Sequence, residues 1–545
     1  SPQFSGLIAL MAICAMFLQK QQRPVEEVVA ERVESEPISS RQRLTWVLLA
    51  AVPSSLLLGV TNYMTTNLAP MPLLWIVPLT IYLITFIVAF ARKQWVKSAV
   101  WARILPLVVT PLALVMILEA TEPMMILAAM HLLAFTIAAL MCHTRLVETR
   151  PSASKLTEFY VWLSVGGAIG GLFNALLAPT IFSTLAEYPI ALIAACLIRP
   201  ARVDKAPRLR LDIAFALGML VVVICLGFIV RELGMPPSQA RTALVIGLPA
   251  ILCFLMVDHP IRYGLMIGAV FLGSNLMQTS SAGTIAYTGR SFFGVHRVVY
   301  TSKGRFHELV HGNTLHGIQD TLNPGEPKTY YTRNGPVGQV FEAYPNLPHV
   351  ALVGMGVGSC AAYGRPGQKL TYFEIDPVVD QIAKDPKHFT FLRDTKADLD
   401  VVLGDARLTL GRQDGPYNLI ALDAFSSDSI PIHLLTKEAV AMYLSKLTPD
   451  GFLAFHISNR YLQLEPILAK LAESLNMVAY SLVDAPTDEE TRVGKRPSHW
   501  MVLARSKADV AKLVDQSAWQ LSPPDPSTPI WTDDYSNILS AYDPD

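Results

Sequence analysis

Charged side chains are scarce in this sequence. Only 16% of its 545 residues are Asp, Glu, Lys or Arg, whereas 52% are hydrophobic. A typical soluble domain has about 25% charged residues, so this composition places part of the chain in a membrane. The formal net charge is zero. The total therefore provides no excess positive charge for a polyanion, and nucleic acid is not an expected partner.

Cysteine is also rare, and its spacing follows no known motif. Of the six cysteines, only Cys360 lies outside the apolar segments, so the pattern predicts neither a disulfide framework nor a Cys/His metal site. His311, His316 and His433 have no Cys or carboxylate at metal-ligand spacing. We expect packing roles for the cysteines, hydrogen bonds for the histidines, and no bound metal.

Long apolar runs dominate the first half and stop near residue 279. A helix needs about 20 apolar residues to cross a bilayer core. The first run is short and is not preceded by a basic segment of the signal-peptide type, so we expect a processed chain or one that lacks upstream helices. The predicted spans are 5–19, 44–62, 72–91, 98–119, 123–142, 156–178, 184–199, 211–231, 240–257 and 261–279.

Basic residues occur in alternate loops between these spans. Loops such as 20–43, 92–97, 145–155 and 199–208 are rich in Lys and Arg, whereas "TTNLAPMP" and "EATE" have none. The basic loops are predicted to face the cytoplasm. Three further spans then place the polar half on the opposite face, unless one of them is re-entrant or interfacial. A cytosolic substrate would instead favour the cytoplasmic face, so the sequence does not decide on which face of the membrane the polar half lies.

Few polar residues interrupt the predicted spans. Asn62, His131 and Asn174 lie near span ends or among small residues, and we interpret them as helix-packing groups rather than a transport route. The run "SVGGAIGG", residues 164–171, is typical of helices that approach each other closely.

The polar half changes periodicity twice. Short alternating stretches such as "FFGVHRVVY" and "RFHELVHGNTLHGIQ" predict β-hairpins. Beyond them, apolar runs of strand length alternate with helical stretches, a pattern typical of a parallel, doubly wound sheet with its ligand at the carboxyl ends of the strands. We predict a multi-pass transmembrane domain over 1–283, a small β-subdomain over 284–345 and a nucleoside-binding catalytic domain over 346–545.

A glycine turn and acidic strand ends mark the predicted site. The strand 350–353 is followed by Gly354, Gly356 and Gly358, and the next strand ends at Glu374, about 20 residues on. Asp405 ends the third strand and Asp423 the fourth. Glu374 is placed to accept ribose hydroxyls and Asp405 an exocyclic amine. No second half-sheet with its own glycine turn follows, so a single nucleoside is favoured over a dinucleotide.

The polar half resembles the spermidine synthase (polyamine aminopropyltransferase) family. The motifs that carry the resemblance are the β-hairpins, "HGIQ", Gly-x-Gly-x-Gly, "EID", "GDA" and the loop "DAFSSDSIP". With phrases such as "PLLWIVPLTIYLITFIVAF", nearly the whole chain is similar to the membrane-anchored, transporter-fused branch of that family. The resemblance implies a multi-pass α-helical membrane domain followed by an α/β, Rossmann-like class I S-adenosylmethionine-dependent transferase domain with a small N-terminal β-hairpin subdomain.

The resemblance also implies residue roles. The catalytic candidates are Asp423 as base, with Tyr330 or Tyr331 relaying the proton. Nucleoside-binding roles fall on the glycine turn, Glu374, Asp405 with Ala406, and Gln319, and a substrate role falls less securely on Asp428. From their own chemistry, Asp533 and Asp534, beside Trp531 and Tyr535, suit a cationic amine, although a solvated acidic loop is the alternative. In "HISNRY", Asn459 or Arg460 could contact substrate, or the Ser-Asn pair could simply form a turn.

One position departs from the family pattern. Family synthases have an aspartate that binds the ammonium of the decarboxylated donor, whereas this chain has Val357. Without that anion, discrimination against intact S-adenosylmethionine weakens. The resemblance therefore implies S-adenosylmethionine or its decarboxylated form as co-substrate, and transfer of an aminopropyl or aminocarboxypropyl group to a putrescine-like amine with release of methylthioadenosine.

Other functions stay open from the sequence alone. They are methyl transfer, modification of a lipid amine or hydroxyl, and polyamine transport with a nucleoside-sensing domain. The expected partners are the lipid bilayer and either a second copy of the chain or an upstream helical half. The expected location is a bacterial inner membrane.

Overall fold

The computed structural model describes most of the chain. The described residues are 37–68, 73–200, 208–235, 241, 243–276, 283–312, 314–424, 431–459, 462–515 and 518–541. The predicted span at 5–19 lies outside them.

Helices occupy each of the later segments that the sequence predicts as spans. Their bounds are α1 Ser40–Asn67, α2 Ile76–Ala89, α3 Ser98–Ile117, α4 Met124–Glu148, α5 Leu156–Leu172, α6 Glu187–Leu197, α7 Leu209–Glu232, α8 Leu248–Phe254 and α9 Pro260–Leu276. Among the described residues, five helical stretches, those of α1, α3, α4, α5 with its extension to Ile181, and α7, are long and apolar enough to cross a membrane. The other four helices contain fewer than 18 residues.

Small residues allow α1 and α5 to touch. A Cβ on Gly166 would lie 2.4 Å from the Val47 carbonyl oxygen, and one on Gly170 would lie 2.2 Å from that of Ala51. The glycine run predicted to bring helices together does so at these two positions, whereas Gly171 faces open space.

The polar residues of these helices bond to each other, as predicted for packing groups. Asn174 donates to the Ser55 hydroxyl at 2.5 Å, and His131 Nδ1 lies 2.9 Å from the Tyr188 hydroxyl. Each pair joins two helices, so these buried polar groups stabilise packing.

A four-stranded antiparallel sheet follows the helices. Its strands run in chain order and are β1 Thr284–Ser291, β2 Gly294–Thr301, β3 Phe306–His311 and β4 Thr314–Asp320. Val298 and Leu309 pack into the core of the next domain, so this small sheet forms a wall against the larger one.

The large sheet has eight strands in the order β12-β10-β11-β9-β8-β5-β6-β7. The strands are β5 His349–Val353, β6 Lys369–Glu374, β7 Asp398–Leu403, β8 Tyr417–Leu422, β9 Leu447–His456, β10 Val478–Asp484, β11 Ser498–Ala504 and β12 Gln520–Leu521. Five neighbouring strands, β9, β8, β5, β6 and β7 in sheet order, are mutually parallel, and β11 is antiparallel to its neighbours β9 and β10.

Helices cover both faces of this sheet. They are α10 Pro336–Ala343, α11 Pro377–Lys384, α12 Phe391–Asp394, α13 Ala406–Arg412, α14 Lys437–Ser445, α15 Glu465–Ser474, α16 Asp488–Arg492 and α17 Lys507–Val514. Alternate residues of β5 enter different cores, since Val350 and Leu352 lie in one and Ala351 and Val353 in the other. The doubly wound sheet predicted from the alternating pattern is confirmed, and its strand order reverses between β5 and β8, where such folds bind ligands.

Candidate active site

The turn after β5 requires glycine. Gly354, Gly356 and Gly358 have φ of 89°, 53° and 79°, values that residues with a Cβ rarely adopt. A Cβ on Gly354 would lie 2.2 Å from the Asp423 carbonyl oxygen, and one on Gly356 would lie 2.7 Å from that of His316. The turn therefore passes close to the end of β8 and to β4, and its backbone forms the floor of a cavity.

Glu374, at the end of β6, accepts hydrogen bonds from this turn. Its carboxylate accepts from the backbone N–H of Met355 at 2.9 Å and of Asp376 at 2.8 Å. Burial raises the pKa of Glu374, although the two backbone bonds oppose that shift. The side chain thus ties the glycine turn to the next strand end while it lines the cavity.

Asp376, which also lines the cavity, is held by side chains of the small sheet. Its carboxylate lies 2.7 Å from His296 Nε2 and accepts from the Ser291 hydroxyl at 2.5 Å. Burial alone would raise the pKa of Asp376, but the bonds from His296 and Ser291 outweigh it and leave the pKa below its ordinary value. This acid is therefore ionised at neutral pH and anchors the small sheet to the large one.

Asp405 and Ala406 begin α13 at the end of β7. Asp405 caps the helix by accepting from the Arg407 N–H at 2.9 Å, and its other oxygen lies 3.2 Å from His433 Nε2. Both residues line the cavity. One oxygen of the Asp405 carboxylate caps the helix, and the other faces the His433 ring.

Asp423, at the end of β8, is held from two sides. The Tyr331 hydroxyl donates to Asp423 Oδ2, and His456 Nδ1 lies 2.6 Å from Oδ1. His456 Nε2 in turn lies 2.7 Å from the Ser458 hydroxyl, which accepts from the His499 N–H at 2.8 Å. The Ser458 hydroxyl can therefore donate its proton to His456 Nε2. A His456 ring that carries its own proton on Nδ1 then donates to Asp423 Oδ1, and each of these bonds has one donor and one acceptor.

Tyr331, beside Asp423, stays protonated at neutral pH. Burial and the nearby Asp423 carboxylate raise the pKa of Tyr331 well above its ordinary value. Tyr331 therefore acts as a hydrogen-bond donor to Asp423. Tyr330 packs its ring 4.5 Å from those of Tyr331 and His456, measured between centroids.

The cavity bounded by these strand ends has a volume of about 560 Å³. Four carboxyl groups line it, those of Glu374, Asp376, Asp405 and Asp423, and its described lining residues include no Lys or Arg. Two of the histidines in its wall, His311 and His316, do not offset this acidity, since burial lowers the pKa of His311 to about 4 and of His316 to about 3. The volume suits a nucleoside, and the acidity suits a cation.

A second cavity, of about 960 Å³, is lined by His456, the side chain that contacts Asp423 Oδ1. Tyr330 and Asn459 also line it, and His316 lines both cavities. Glu465 lines it as well and lies 3.0 Å from His499. His456 therefore connects Asp423, in the wall of the first cavity, to a second space that is large enough for a substrate.

Other predicted site residues lie away from both cavities. Gln319 is buried and bonded to Thr390 and Pro324 at 2.8–3.0 Å, which identifies a structural role. Asp533 pairs with Arg407 and accepts from Thr436 at 2.7 Å, and neither it nor Asp534 lines these cavities. Asp428 and Arg460 lie outside the described residues.

His456 is the main group that the sequence reasoning missed. It ends β9, which lies beside β8 in the sheet. The rule that selected Asp405 and Asp423, a polar side chain at the carboxyl end of a parallel strand, applies equally to His456 and could have found it. Asp376 was visible in "EID" but was not singled out.

A cavity at the switch point of a doubly wound sheet is where α/β domains of this kind bind their ligands. No family model matches the chain. A polyamine aminopropyltransferase from Vibrio vulnificus (strain CMCP6) is 32% identical over 139 residues, which are 24% of this chain and 44% of that protein. The resemblance predicted from the motifs is confirmed over this segment, and the chain spans less than half the length of this relative.

Solved structures with a similar arrangement include two synthases. A probable spermidine synthase from Corynebacterium glutamicum is 15% identical, with a TM-score of 0.35, and the match covers 47% of this chain and 98% of that one. Spermidine synthase from Thermotoga maritima is 12% identical, with a TM-score of 0.31, and covers 48% and 84% respectively. TM-scores at this level do not bear on the function.

Proposed function

We propose that this chain is a membrane-embedded transferase that moves an aminopropyl group from a sulfonium nucleoside to an amine and releases methylthioadenosine. The observation that carries the proposal is the position of Asp423. Its carboxylate lines the acid-lined cavity and is held by Tyr331 and His456, and His456 also lines the second, larger cavity. A base that faces one substrate-sized space and is bonded to a side chain of the neighbouring one is suited to amine alkylation.

The first cavity fits the nucleoside. Glu374 is assigned to the ribose hydroxyls, and Asp405 with Ala406 to the adenine, as the family resemblance implies. Gly354 and Gly356 line this cavity, and the absence of a Cβ lets the turn pack against the carbonyl groups of Asp423 and His316. The bound nucleoside would supply an electrophilic carbon next to its sulfonium and a neutral thioether as leaving group.

The charge of the first cavity favours a donor without a carboxylate. Intact S-adenosylmethionine carries a carboxylate on its side chain, and the described lining residues offer four carboxyl groups but no Lys or Arg to neutralise it. Val357 does not change this charge. It is fully buried against Gly317 and is not in the cavity wall, so the missing family aspartate leaves the acidity of the wall intact. Aminopropyl transfer is thus favoured over aminocarboxypropyl transfer.

Asp423 prepares the acceptor. An amine reaches the site as an ammonium ion, which is attracted to the carboxylate and must lose a proton before its nitrogen can attack. Tyr331 and His456 each occupy one oxygen of Asp423 with a donated hydrogen bond. These bonds fix the carboxylate plane, and the remaining lone pairs can take the ammonium proton.

The direct test measures the released nucleoside. Purified full-length protein is incubated with putrescine and with either decarboxylated or intact S-adenosylmethionine, and the products are identified by mass spectrometry. We expect methylthioadenosine and an aminopropylated amine from the decarboxylated donor. Release of S-adenosylhomocysteine from the intact donor would instead identify a methyltransferase.

A lipid-borne amine is a second candidate acceptor, favoured by one observation. Thr65 and Thr66, in the last turn of α1, line the nucleoside cavity together with Phe293. The neighbouring Phe292 is 95% exposed, and exposed aromatic side chains are common where a protein meets the lipid headgroups. Incorporation of label from the donor's propyl carbons into a lipid extract would support this acceptor.

A further inference from the structure

We propose that the nucleoside cavity opens on the face of the membrane opposite the cytoplasm. The inference rests on the proposed membrane embedding, but not on the reaction. It follows from which helix ends meet, which of those ends touch the small sheet, and where the basic residues lie.

One end of the helical half is defined by polar contacts between helix termini. Arg43, near the start of α1, bonds Glu158, near the start of α5, at 2.7 Å. The Trp46 indole N–H donates to Thr149, just after α4, at 3.2 Å. The Ser98 N–H, at the start of α3, donates to Glu148, at the end of α4, at 2.8 Å.

The remaining helices join the same end. Arg199, just after α6, donates to the Ala102 carbonyl of α3 at 3.2 Å and also to the Val257 carbonyl, between α8 and α9. Arg262, in the first turn of α9, bonds Asp212, in the first turn of α7, at 3.0 Å. The starts of α1, α3, α5, α7 and α9 and the ends of α4, α6 and α8 therefore lie together.

The small sheet touches the other end. Arg290 of β1 forms a buried, bidentate ion pair with Glu187, at the start of α6, at 2.7 and 2.9 Å. Arg297 of β2 bonds Glu119, just after α3, at 2.8 Å. A Cβ on Gly312 would lie 2.0 Å from the carbonyl oxygen of Thr66, near the end of α1.

The two ends are a membrane thickness apart. Helix α1 has 28 residues and runs from the first end to the second, a rise of about 42 Å at 1.5 Å per residue. Because Val257 is at the first end, the chain returns there between α7 and α9. The stretch that includes α8 is thus a crossing rather than a re-entrant loop, which removes the ambiguity left by the sequence.

Basic residues mark the first end. Among the described connections there, the Lys and Arg residues are Arg92, Lys93, Lys97, Arg150, Lys155, Arg199 and Arg208, whereas the described connections at the sheet end contain Arg241 alone. Lys and Arg in short loops are retained in the cytoplasm, and long domains cross largely regardless of their charge. The end with the basic loops therefore faces the cytoplasm, and the sheet faces away from it.

The placement determines where the substrates must be. A sulfonium nucleoside and an amine can reach the cavity only on the non-cytoplasmic face, so a step that exports the nucleoside must supply it. The ends of the helices contribute to the cavity wall through Thr65 and Thr66.

Cysteine accessibility tests the proposal in the full chain. Lys387→Cys adds a thiol on the exposed surface of the sheet half, and Lys93→Cys adds one in an exposed basic loop. The parent chain is the labelling blank, because its Cys360 is buried but its Cys225, in α7, is exposed. Spheroplasts of a bacterial host that express each variant are treated with a membrane-impermeant maleimide, and a cytosolic thiol protein reports leakage.

We expect labelling of K387C in intact spheroplasts and of K93C only after permeabilisation. Labelling of K93C alone, of both, or of neither before permeabilisation, with the cytosolic reporter unlabelled, would overturn the proposal, as would recovery of the chain in the soluble fraction. Asp450→Cys and Ser154→Cys, at other exposed positions on the two sides, repeat the comparison if a first variant does not accumulate. No outcome depends on turnover, so the topology and the proposed reaction can fail separately.

Discussion

The helical half and the sheet half of this chain treat buried polar groups differently. In the helices, polar side chains pair with each other, as Asn174 does with Ser55 and His131 with Tyr188. In the sheet half, four carboxyl groups face one cavity whose described lining has no Lys or Arg. Clustering like charges costs free energy, and protein sites keep such clusters where a ligand supplies the opposite charge. The contrast separates polar groups that bond only to each other from carboxyl groups that also face a cavity.

The sharpest way to break this comparison is to neutralise Asp423. We expect Asp423→Asn to lower the rate of methylthioadenosine release by about 10²- to 10⁴-fold, the range typical of a lost general base. Nucleoside affinity, measured by calorimetry, should stay unchanged because other acids hold that ligand. An Asp423→Asn variant with normal turnover would exclude Asp423 as the base.

Glu374 tests whether the acids bind the nucleoside. Glu374→Gln removes a charged acceptor, and losing a hydrogen bond to a charged group costs about 1.5–3 kcal/mol, so affinity should weaken about 10- to 100-fold. The matched control is Glu326→Gln, a change to a glutamate on the surface that pairs with Arg333. Equal affinities of the two variants in calorimetry would contradict the assignment.

His456 sharpens the comparison, because its role is to position another group. His456→Ala removes the bond to Asp423 Oδ1, and we expect kcat to fall about tenfold or more, as for a lost hydrogen bond to a charged group, while KM for the nucleoside stays constant. His456→Gln, which retains a donor, should recover part of the rate. If Gln and Ala variants were equally slow, positioning through this bond would be the wrong explanation.

In the helical half, a steric change should affect stability alone. Gly170→Ala places a Cβ where only 2.2 Å separates it from the Ala51 carbonyl oxygen, and overpacking of this kind costs about 1–3 kcal/mol. Gly171→Ala, with open space around it, is the matched control and should keep or raise the thermal midpoint. Nucleoside affinity should be the same in both variants if the two halves separate fold from function as described.

The smallest expected effect concerns Glu465 in the second cavity. Its bond with His499 lowers the pKa of Glu465 from 4.5 to about 2. Since the folded-state pKa lies below the ordinary value, the ionised group stabilises the fold above about pH 4.5, and this contribution disappears as the pH falls toward 2. Glu465→Gln should lower the thermal midpoint at pH 7, with the difference shrinking below pH 4.5. Glu473→Gln, at an exposed ion pair, should show no such trend.

The sequence reasoning succeeded where a local pattern determines the position of a side chain. Gly354, Glu374, Asp405 and Asp423 were predicted because each follows an apolar strand, and the carboxyl ends of parallel strands meet at one edge of the sheet. The bonds that hold Asp423 needed other signals, because Tyr331 and His456 are 92 and 33 residues away from it in the chain. The family resemblance implied Tyr330 or Tyr331, and the strand-end rule could have found His456, but neither signal specifies which atoms are bonded.

Long-range pairing also explains the remaining differences. Asp533 lies in an acidic, aromatic segment that suits a cationic amine, but Arg407, 126 residues away, already neutralises it. Similarly, the apolar runs predicted the helices that the structure describes, whereas how the ends of these helices meet depends on polar contacts between distant residues.

Helix α1 is continuous from Ser40 to Asn67, and its last turn forms part of the nucleoside cavity. A helix longer than the bilayer is wide responds to lipid thickness by tilting, and any tilt of α1 moves Thr65 and Thr66 at the mouth of the site. The rate of the proposed transfer should therefore vary with acyl-chain length, which assays in bilayers of increasing thickness would measure.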